Sequence, residues 1–541
     1  VNEAMSEEPV DVLIIGAGAS GAALAWSLAE TRMNILCLEQ GDWVKSGDYP
    51  SNQTDWELRR LGDFGFSPND RKLASDYPVN DSESPIAASM YNGVGGSTIL
   101  FAAHFPRLHP SDFRVRTLDG VGSDWPLDYR SLAPWYDLNE RMTGVSGLEG
   151  DPAYPQDPPK RPPLPPLPLG QLGETLARGF NRLGWHWWPS DSAIISEDYE
   201  GRGACINAGT CITGCAQGAK SSSDVTYWPI ALRSGVRIRT RARVREITLG
   251  SNGLADGVIY YDENDREQRQ KAHVVVVACN GIGTPRLLLN SKSKEFPDGL
   301  ANRSGLVGKN LMFHPYAMAT GVFDQPLEGY KGAIGCCIMS QEFYETDARR
   351  DFVRGYSFEI LRGLGPMFTA LMGMGWGAVP WGKDHHGAYA DLFDRTAGMV
   401  VIGEDLPEEC NSITLDPDLK DANGIPAPKI NYRLGENSRK LMAHGVARAR
   451  EVLEASGARK VIEEPLLRVA GWHLMGTARM GRDPKTSVVN EWGRCHDVKN
   501  LFLIDGSIFP TAGAVNPTNT IQALALHVAD TMKKNLANLF E

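Results

Sequence analysis

A chain of 541 residues exceeds what one hydrophobic core usually supports, so at least two structural units are expected. Hydrophobic residues at 42% and charged residues at 22% exclude a disordered or fibrous chain. A formal charge of -11 argues against nucleic acid as a partner, and no run reaches the roughly 18 apolar residues of a membrane span.

The first element predicted is a buried strand, VDVLII at 10–15. ASGAALAWSLAE then has helical periodicity, and NILCL at 34–38 reads as a second strand. This βαβ opening favours an α/β fold with a parallel sheet. Between strand and helix lies GxGxxG. Gly16 permits the tight turn, Gly18 lets the backbone approach a pyrophosphate, and Gly21 lets the helix pack on the strand. Ala19 and Ser20 open the helix, whose free N–H groups favour phosphate. Glu39 ends the second strand, where a carboxylate binds ribose hydroxyls; it disfavours a 2′-phosphate without separating FAD from NAD.

Residues 40–90 lack periodicity and are expected to cross the surface or cover a ligand. NGVGGSTI at 92–99 offers Gly95, Gly96, Ser97 and Thr98 to a flat ring or a pyrophosphate. PPKRPPLPPLPL at 158–169 reads as an extended strap. Arg237, Arg239, Arg241, Arg243 and Arg245 alternate, and are expected on one solvated face of a strand. Residues 236–277 contain a hairpin returning into the core, after which ACNGIGTPRLL enters a helix through Pro285. Residues 321–460 are of mixed pattern and end in a helix. Trp185, Trp187, Trp188, Trp376 and Trp381 are candidate stacking surfaces, with core packing the equal alternative. His385 and His386 read as surface loop residues, and 365–377 as a pocket mouth or subunit contact. The partition expected is a nucleotide-binding unit of 1–320 and 461–541, with a substrate unit of 321–460 inserted.

The last 70 or so residues hold the densest chemistry, GWHLMGTARMG at 471–481 and LFLIDGSIFPTAGAVNPTNT at 501–520. His473 suits a hydroxyl proton near neutral pH. Asn516, just before Pro517 and Thr518, suits an alcohol oxygen, and Asp505 with Gly506 suits ribityl or phosphate atoms.

Cys205, Cys211 and Cys215 form C-x5-C-x3-C. Three thiolates there suit an iron–sulfur cluster or, with a fourth ligand, zinc; structural thiols or a disulfide are the preferred reading. Nine cysteines do not make a disulfide scaffold, and the acidic start shows no secretory signal, so a cytoplasmic location is the default expectation. Export beside a signal-bearing partner would leave no mark in the sequence.

These motifs together resemble the glucose-methanol-choline (GMC) family of flavin oxidoreductases. GAGASG with Glu39, NGVGGST, HLMGTARMG, DGSIFPT and VNPTNT carry the resemblance, which runs from residue 10 to about 535. It is nearest in pattern to the bacterial gluconate, glucose and fructose dehydrogenase flavoproteins. The resemblance implies a Rossmann-like FAD-binding domain built from both chain ends, with an inserted α+β substrate domain. It also implies oxidation of an alcohol or sugar CH–OH group by hydride transfer to FAD. His473 would be the base or hydrogen-bonding partner and Asn516 would hold the oxygen. Gly96 is followed by Ser97, Thr98 and Ile99 where some relatives carry a covalently flavinylated histidine, so non-covalent FAD is expected. The cysteine spacing looks like the three-iron motif of certain membrane-linked sugar dehydrogenases, whereas CITGCAQGAK also looks like cluster-free members. Oxygen or another acceptor, an electron carrier, a small escort subunit and a homo-oligomer all stay open. A lyase acting without net oxidation and a non-catalytic interaction protein are the competing readings.

Overall fold

A computed structural model describes residues 7–154, 158–334 and 337–535. Its central strand, Glu267–Val277, contains the valine run at 274–277. Along one edge it pairs in parallel with Glu7–Ile15. Along the other it pairs antiparallel with Ala255–Tyr261 and, nearer its end, in parallel with Leu501–Leu503. Ile35–Leu38 and Arg237–Arg239 extend the sheet beyond Glu7–Ile15. Side chains alternate across a strand, so the valine run serves two cores. Val274 and Val276 pack with Leu24, Leu526 and Trp228, while Val275 and Val277 pack with Leu132, Leu288 and Leu503. The helix Ala19–Leu28 lies against Thr518–Lys534, which binds the first turn of the chain to its last helix. This is the Rossmann-like FAD-binding arrangement built from both chain ends.

A second, antiparallel sheet runs in the order Lys460–Glu464, Tyr316–Val322, Thr396–Gly403, Tyr356–Leu361, Ile338–Ser340 and Trp188–Pro189. One of its faces is buried beneath the helices Gly170–Leu183 and Glu436–Ala455, through Ala317, Ala319, Phe358, Met399 and Val401. The opposite face turns Tyr316, Met318, Thr320, Glu359, Leu361, Gly398 and Val400 onto a cavity shared with the first sheet. Among the described residues no helix is long and apolar enough to cross a membrane.

Several predicted elements have other forms. The arginine series does not occupy one solvated face: the chain breaks at Arg241, with φ of 53°, between Arg237–Arg239 and Arg243–Leu249. Arg243 is buried, donating to the Ala74 carbonyl and paired with Asp421. The helix after the valine run begins at Asn280, and Pro285 lies inside it, while His385 and His386 open the helix His385–Leu392 and are not in a loop. The aperiodic stretch at 40–90 contains short helices and a strand, Asn80–Glu83, which joins Pro426–Asn431.

A buried ion cluster joins the parts. Arg354 pairs with Asp112, with Asp119 at 3.2 Å and with Glu404 at 2.9 Å, and its side chain is 1% exposed. Asp112 also accepts from the Tyr344 hydroxyl at 2.7 Å, and that hydroxyl accepts from the Ala514 N–H at 3.2 Å. Removing one partner leaves buried carboxylates uncompensated. Arg354→Met is expected to lower stability by about 3–5 kcal/mol. A denaturation midpoint unchanged from wild type would exclude a structural role for this cluster.

Candidate active site

The cavity has a volume of about 700 Å³ and runs from Glu39 and Arg245 at one end to His473, Asn516 and Glu359 at the other. Three helix N-termini open on it, through Ala19 and Ser20, Asn280, and Thr518. Each contributes free N–H groups and the positive end of a dipole, so the cavity favours an anionic ligand.

The glycine turns fit a dinucleotide by lacking side chains. A Cβ on Gly96, at φ of 55°, would lie 2.8 Å from Gly18 Cα, and one on Gly21 would lie 2.1 Å from the Gly16 carbonyl. Gly95 donates to the Ala17 carbonyl at 2.9 Å, fastening the second turn onto the first. Gly96, Ser97 and Thr98 line the cavity; Thr98 Oγ1 donates to the Gly95 carbonyl at 2.5 Å and accepts from the Ser223 N–H at 3.0 Å. Glu39 lines the cavity while accepting from the Ala17 and Gly41 N–H groups, each at 2.8 Å. Burial raises its carboxyl pKa and these backbone donors oppose the rise. Asp505 accepts from Thr284 Oγ1 at 2.6 Å and from the Ser507 N–H at 2.8 Å. Asp505, Gly506, Pro517 and Thr518 all line the cavity.

At the other end His473 and Asn516 both line the cavity. His473 Nδ1 lies 2.6 Å from His314 Nδ1, and His314 Nε2 lies 2.6 Å from the Gly513 carbonyl. A carbonyl oxygen only accepts, so His314 Nε2 carries a hydrogen and donates it. In the neutral ring His314 Nδ1 is then an acceptor, and His473 Nδ1 donates to it. His473 Nε2 is left unprotonated. Burial, then the nearby His314 and His104, push the His473 pKa well below its usual value, and burial brings His314 down to about 4. Neutral rings make this assignment self-consistent.

Glu359 was not singled out by sequence. It is buried on the strand Tyr356–Leu361, its Oε2 lies 3.3 Å from His104 Nε2, and its Oε1 has no hydrogen-bond partner. Burial raises its pKa to about 8, against the lowering effect of the Asn516 side chain. Asn516 Oδ1 is likewise buried without a partner. His104 Nδ1 meets Ser190 Oγ at 2.8 Å, and burial lowers its pKa to about 3. His314 and Tyr316 were also missed; their sequence signal, FHPY at 313–316, has no periodicity that points to a site. Of the five tryptophans proposed for stacking only Trp376 lines the cavity, joined by Trp472; Trp381 is 92% exposed and the others lie elsewhere. Phe368, Met372 and Trp376 from the segment 365–377 form part of the cavity wall.

Cys205, Cys211 and Cys215 are near one another without converging. Cys205 and Cys211 pack with Phe101 on one apolar cluster, and Cys205 and Cys215 pack on another with Leu164 and Ile195. Burial raises the Cys205 thiol to about 11. Among the described residues no three His, Cys, Asp or Glu side chains form a metal-ion site. Cys336 lies outside the described residues.

Models described as GMC oxidoreductase match residues 168–316 and 407–525, and one described as an NAD(P)-binding Rossmann-like domain matches 14–72. The chain is 43% identical to the 2-methyl-1,2-propanediol dehydrogenase of Mycolicibacterium austroafricanum, covering 99% of this chain and 97% of that protein. It is 31% identical to the fructose dehydrogenase large subunit of Gluconobacter japonicus, covering 99% of each. Among solved structures, pyridoxine 4-oxidase from Mesorbium loti superposes with a TM-score of 0.68 over 97% of this chain and 99% of that one, at 17% identity, a likeness of fold.

The buried Glu359 carboxyl gives the site a pH signature. Its pKa is raised on folding, from an ordinary 4.5 to about 8, so its contribution to stability is fullest below pH 4.5 and is lost as pH rises towards 8. Glu359→Gln removes that dependence. Thermal melts of the two proteins from about pH 5 to about pH 8 are expected to show wild type losing ground steadily to the variant. Parallel curves would mean that this carboxyl is not held protonated.

Proposed function

The chain belongs to the GMC oxidoreductase family, and from that premise we propose that it oxidises an alcohol or sugar CH–OH group with His473 as the base and Asn516 as the group that holds the substrate oxygen. The observation that carries the reading is the hydrogen-bond chain from the Gly513 carbonyl through His314 to His473. It leaves an unprotonated Nε2 in the cavity that the glycine turns line.

The dinucleotide we assign is FAD, held without a covalent bond by Gly16, Gly18, Ala19, Ser20, Gly21, Glu39, Gly95 to Thr98, Asp505, Gly506, Pro517 and Thr518. The side-chain-free approach of Gly96 to Gly18 supports the fit. FAD supplies the two-electron acceptor for the hydride that leaves the carbinol carbon. The protein handles the remaining proton. His473 Nε2 accepts it from the hydroxyl, and the His314 bond keeps the ring turned so that this nitrogen faces the substrate. Asn516 fixes the oxygen by hydrogen bonding. The apolar wall of Met318, Leu361 and Val400 excludes water from the transfer.

The nucleotide unit we assign is 1–320 with 461–541, and the substrate unit is 321–460, although Gly170–Leu183, Trp188–Pro189 and parts of Tyr316–Val322 and Lys460–Glu464 pack with the second sheet. The two curated relatives, named for a diol and for a sugar, favour a dehydrogenase among the bacterial flavoproteins.

The test is anaerobic flavin absorbance during mixing with a panel of alcohols and sugars. One or more substrates are expected to bleach the flavin. His473→Ala should slow that step by about 10²- to 10⁴-fold, and Asn516→Ala should raise KM as well as lower the rate. Bleaching at the wild-type rate in His473→Ala would remove it as the base.

A further inference from the structure

We propose that Glu359, backed by His104, is a subsite for a second hydroxyl of the substrate, so that the site selects diols and polyols over simple alcohols. The inference rests on the reading of His473 as base to the reacting hydroxyl. Its own ground is the count of hydrogen-bonding atoms on the cavity wall. His473 Nε2 is one acceptor. Asn516 Oδ1 and Glu359 Oε1 are two buried oxygens with no partner, and the Asn516 side chain hydrogen-bonds the Glu359 carboxyl, so the two are neighbours. A simple alcohol brings one O–H, and the base takes it. The remaining oxygens are then covered by the ligand with nothing to pair with, which disfavours binding. A second hydroxyl supplies another donor and two lone pairs.

The setting of Glu359 makes it a subsite and not a stray core carboxyl. Its cross-strand neighbours on this wall, Val400 and then Met318, are apolar and separate it from the next acid of the row, Glu464, so nothing polar from the adjacent strands stands directly opposite it. Its side chain is 5% exposed, and that of His104, 3.3 Å away, is 2% exposed. His104 Nε2 too lacks a partner with good geometry, while its Nδ1 is fixed by Ser190. Neutral His104 therefore makes no competing bond to the carboxyl, and a protonated Glu359 presents a hydroxyl with both a donor and an acceptor oxygen. Burial favours the protonated carboxyl, which suits a hydroxyl better than an ammonium group.

The experiment uses holoenzyme and two pairs of ligands, each differing by one hydroxyl. In the first pair, 2-methyl-1,2-propanediol and 2-methyl-1-propanol are compared by the concentration dependence of anaerobic flavin bleaching. In the second, pinacol and 2,3-dimethyl-2-butanol, which have no hydrogen on the carbinol carbon and cannot be oxidised, are compared by calorimetric binding. Wild type is expected to prefer each diol by roughly 10- to 100-fold. That preference should fall towards one in Glu359→Leu and stand between the two in Glu359→Gln. A preference near one in wild type overturns the proposal without any variant. So does a preference that survives Glu359→Leu, or tighter binding of the amino alcohol in which one pinacol hydroxyl is replaced by an ammonium group. If no alcohol bleaches the flavin, pinacol decides: Glu359-dependent binding keeps the subsite and sinks the hydride reading, and no binding sinks both.

Discussion

Two glycine turns from distant parts of the sequence touch through bare backbone. Gly18 sits at the start of the first helix and Gly96 in the second turn, and a Cβ on Gly96 would come within 2.8 Å of Gly18 Cα. The N–H of Gly95 bonds to the Ala17 carbonyl, which also accepts from Trp228 Nε1 at 2.9 Å. This contact fixes where the excursion after the second strand returns, and with it the start of the cavity wall that continues through Leu100 to His104. The helix Thr518–Lys534 then packs on the first helix from the other chain end, bringing Asn516 and Pro517 to the same cavity. Neither a dinucleotide cleft nor a polar wall opposite it would exist without that close approach.

The second sheet supplies the other wall, and strand alternation explains how one sheet serves two purposes. Tyr316, Met318 and Thr320 face the cavity, and Ala317 and Ala319 face the helices behind. Glu359 falls on the cavity side between buried Phe358 and Ile360, which belong to the apolar core. A one-residue slip of that strand would bury the carboxyl among helices and turn phenylalanine into the cavity. The register with Thr396–Gly403, in which Glu359 opposes Val400, holds it in place.

Much of this was readable in the sequence where local pattern and chemistry coincide. The βαβ opening, the glycine turns, Glu39, the valine strand and the last helix all lie where periodicity and turn residues put them. His473 and Asn516 were legible as motifs, and the fold brings both to one cavity, which no spacing in the sequence implies. Glu359 and His314 were not legible. Each is a lone polar residue in an unremarkable strand or loop, and its meaning comes only from neighbours distant in sequence, His104 for one and Gly513 for the other. The arginine series misled for a related reason. Alternation predicts one face only while the backbone stays extended, and the left-handed turn at Arg241 ends it.

The burial that surrounds the polar end also bears on when His473, as the proposed base, can act. Burial holds His104, His314 and His473 in their neutral forms, so an imidazolium at His473 is costly in the resting site. An unreacted alcohol is far too weak an acid to give up its proton against that cost. As the C–H bond breaks, the carbinol carbon takes on carbonyl character and its hydroxyl becomes a much stronger acid, so proton transfer becomes favourable only once hydride departure is under way. On the proposal that His473 is the base, its depression by burial couples the two transfers in time. On this view the depressed histidine pKa and the hydroxyl contacts proposed for Asn516 and Glu359 are two parts of one arrangement, a site in which proton transfer waits on hydride departure.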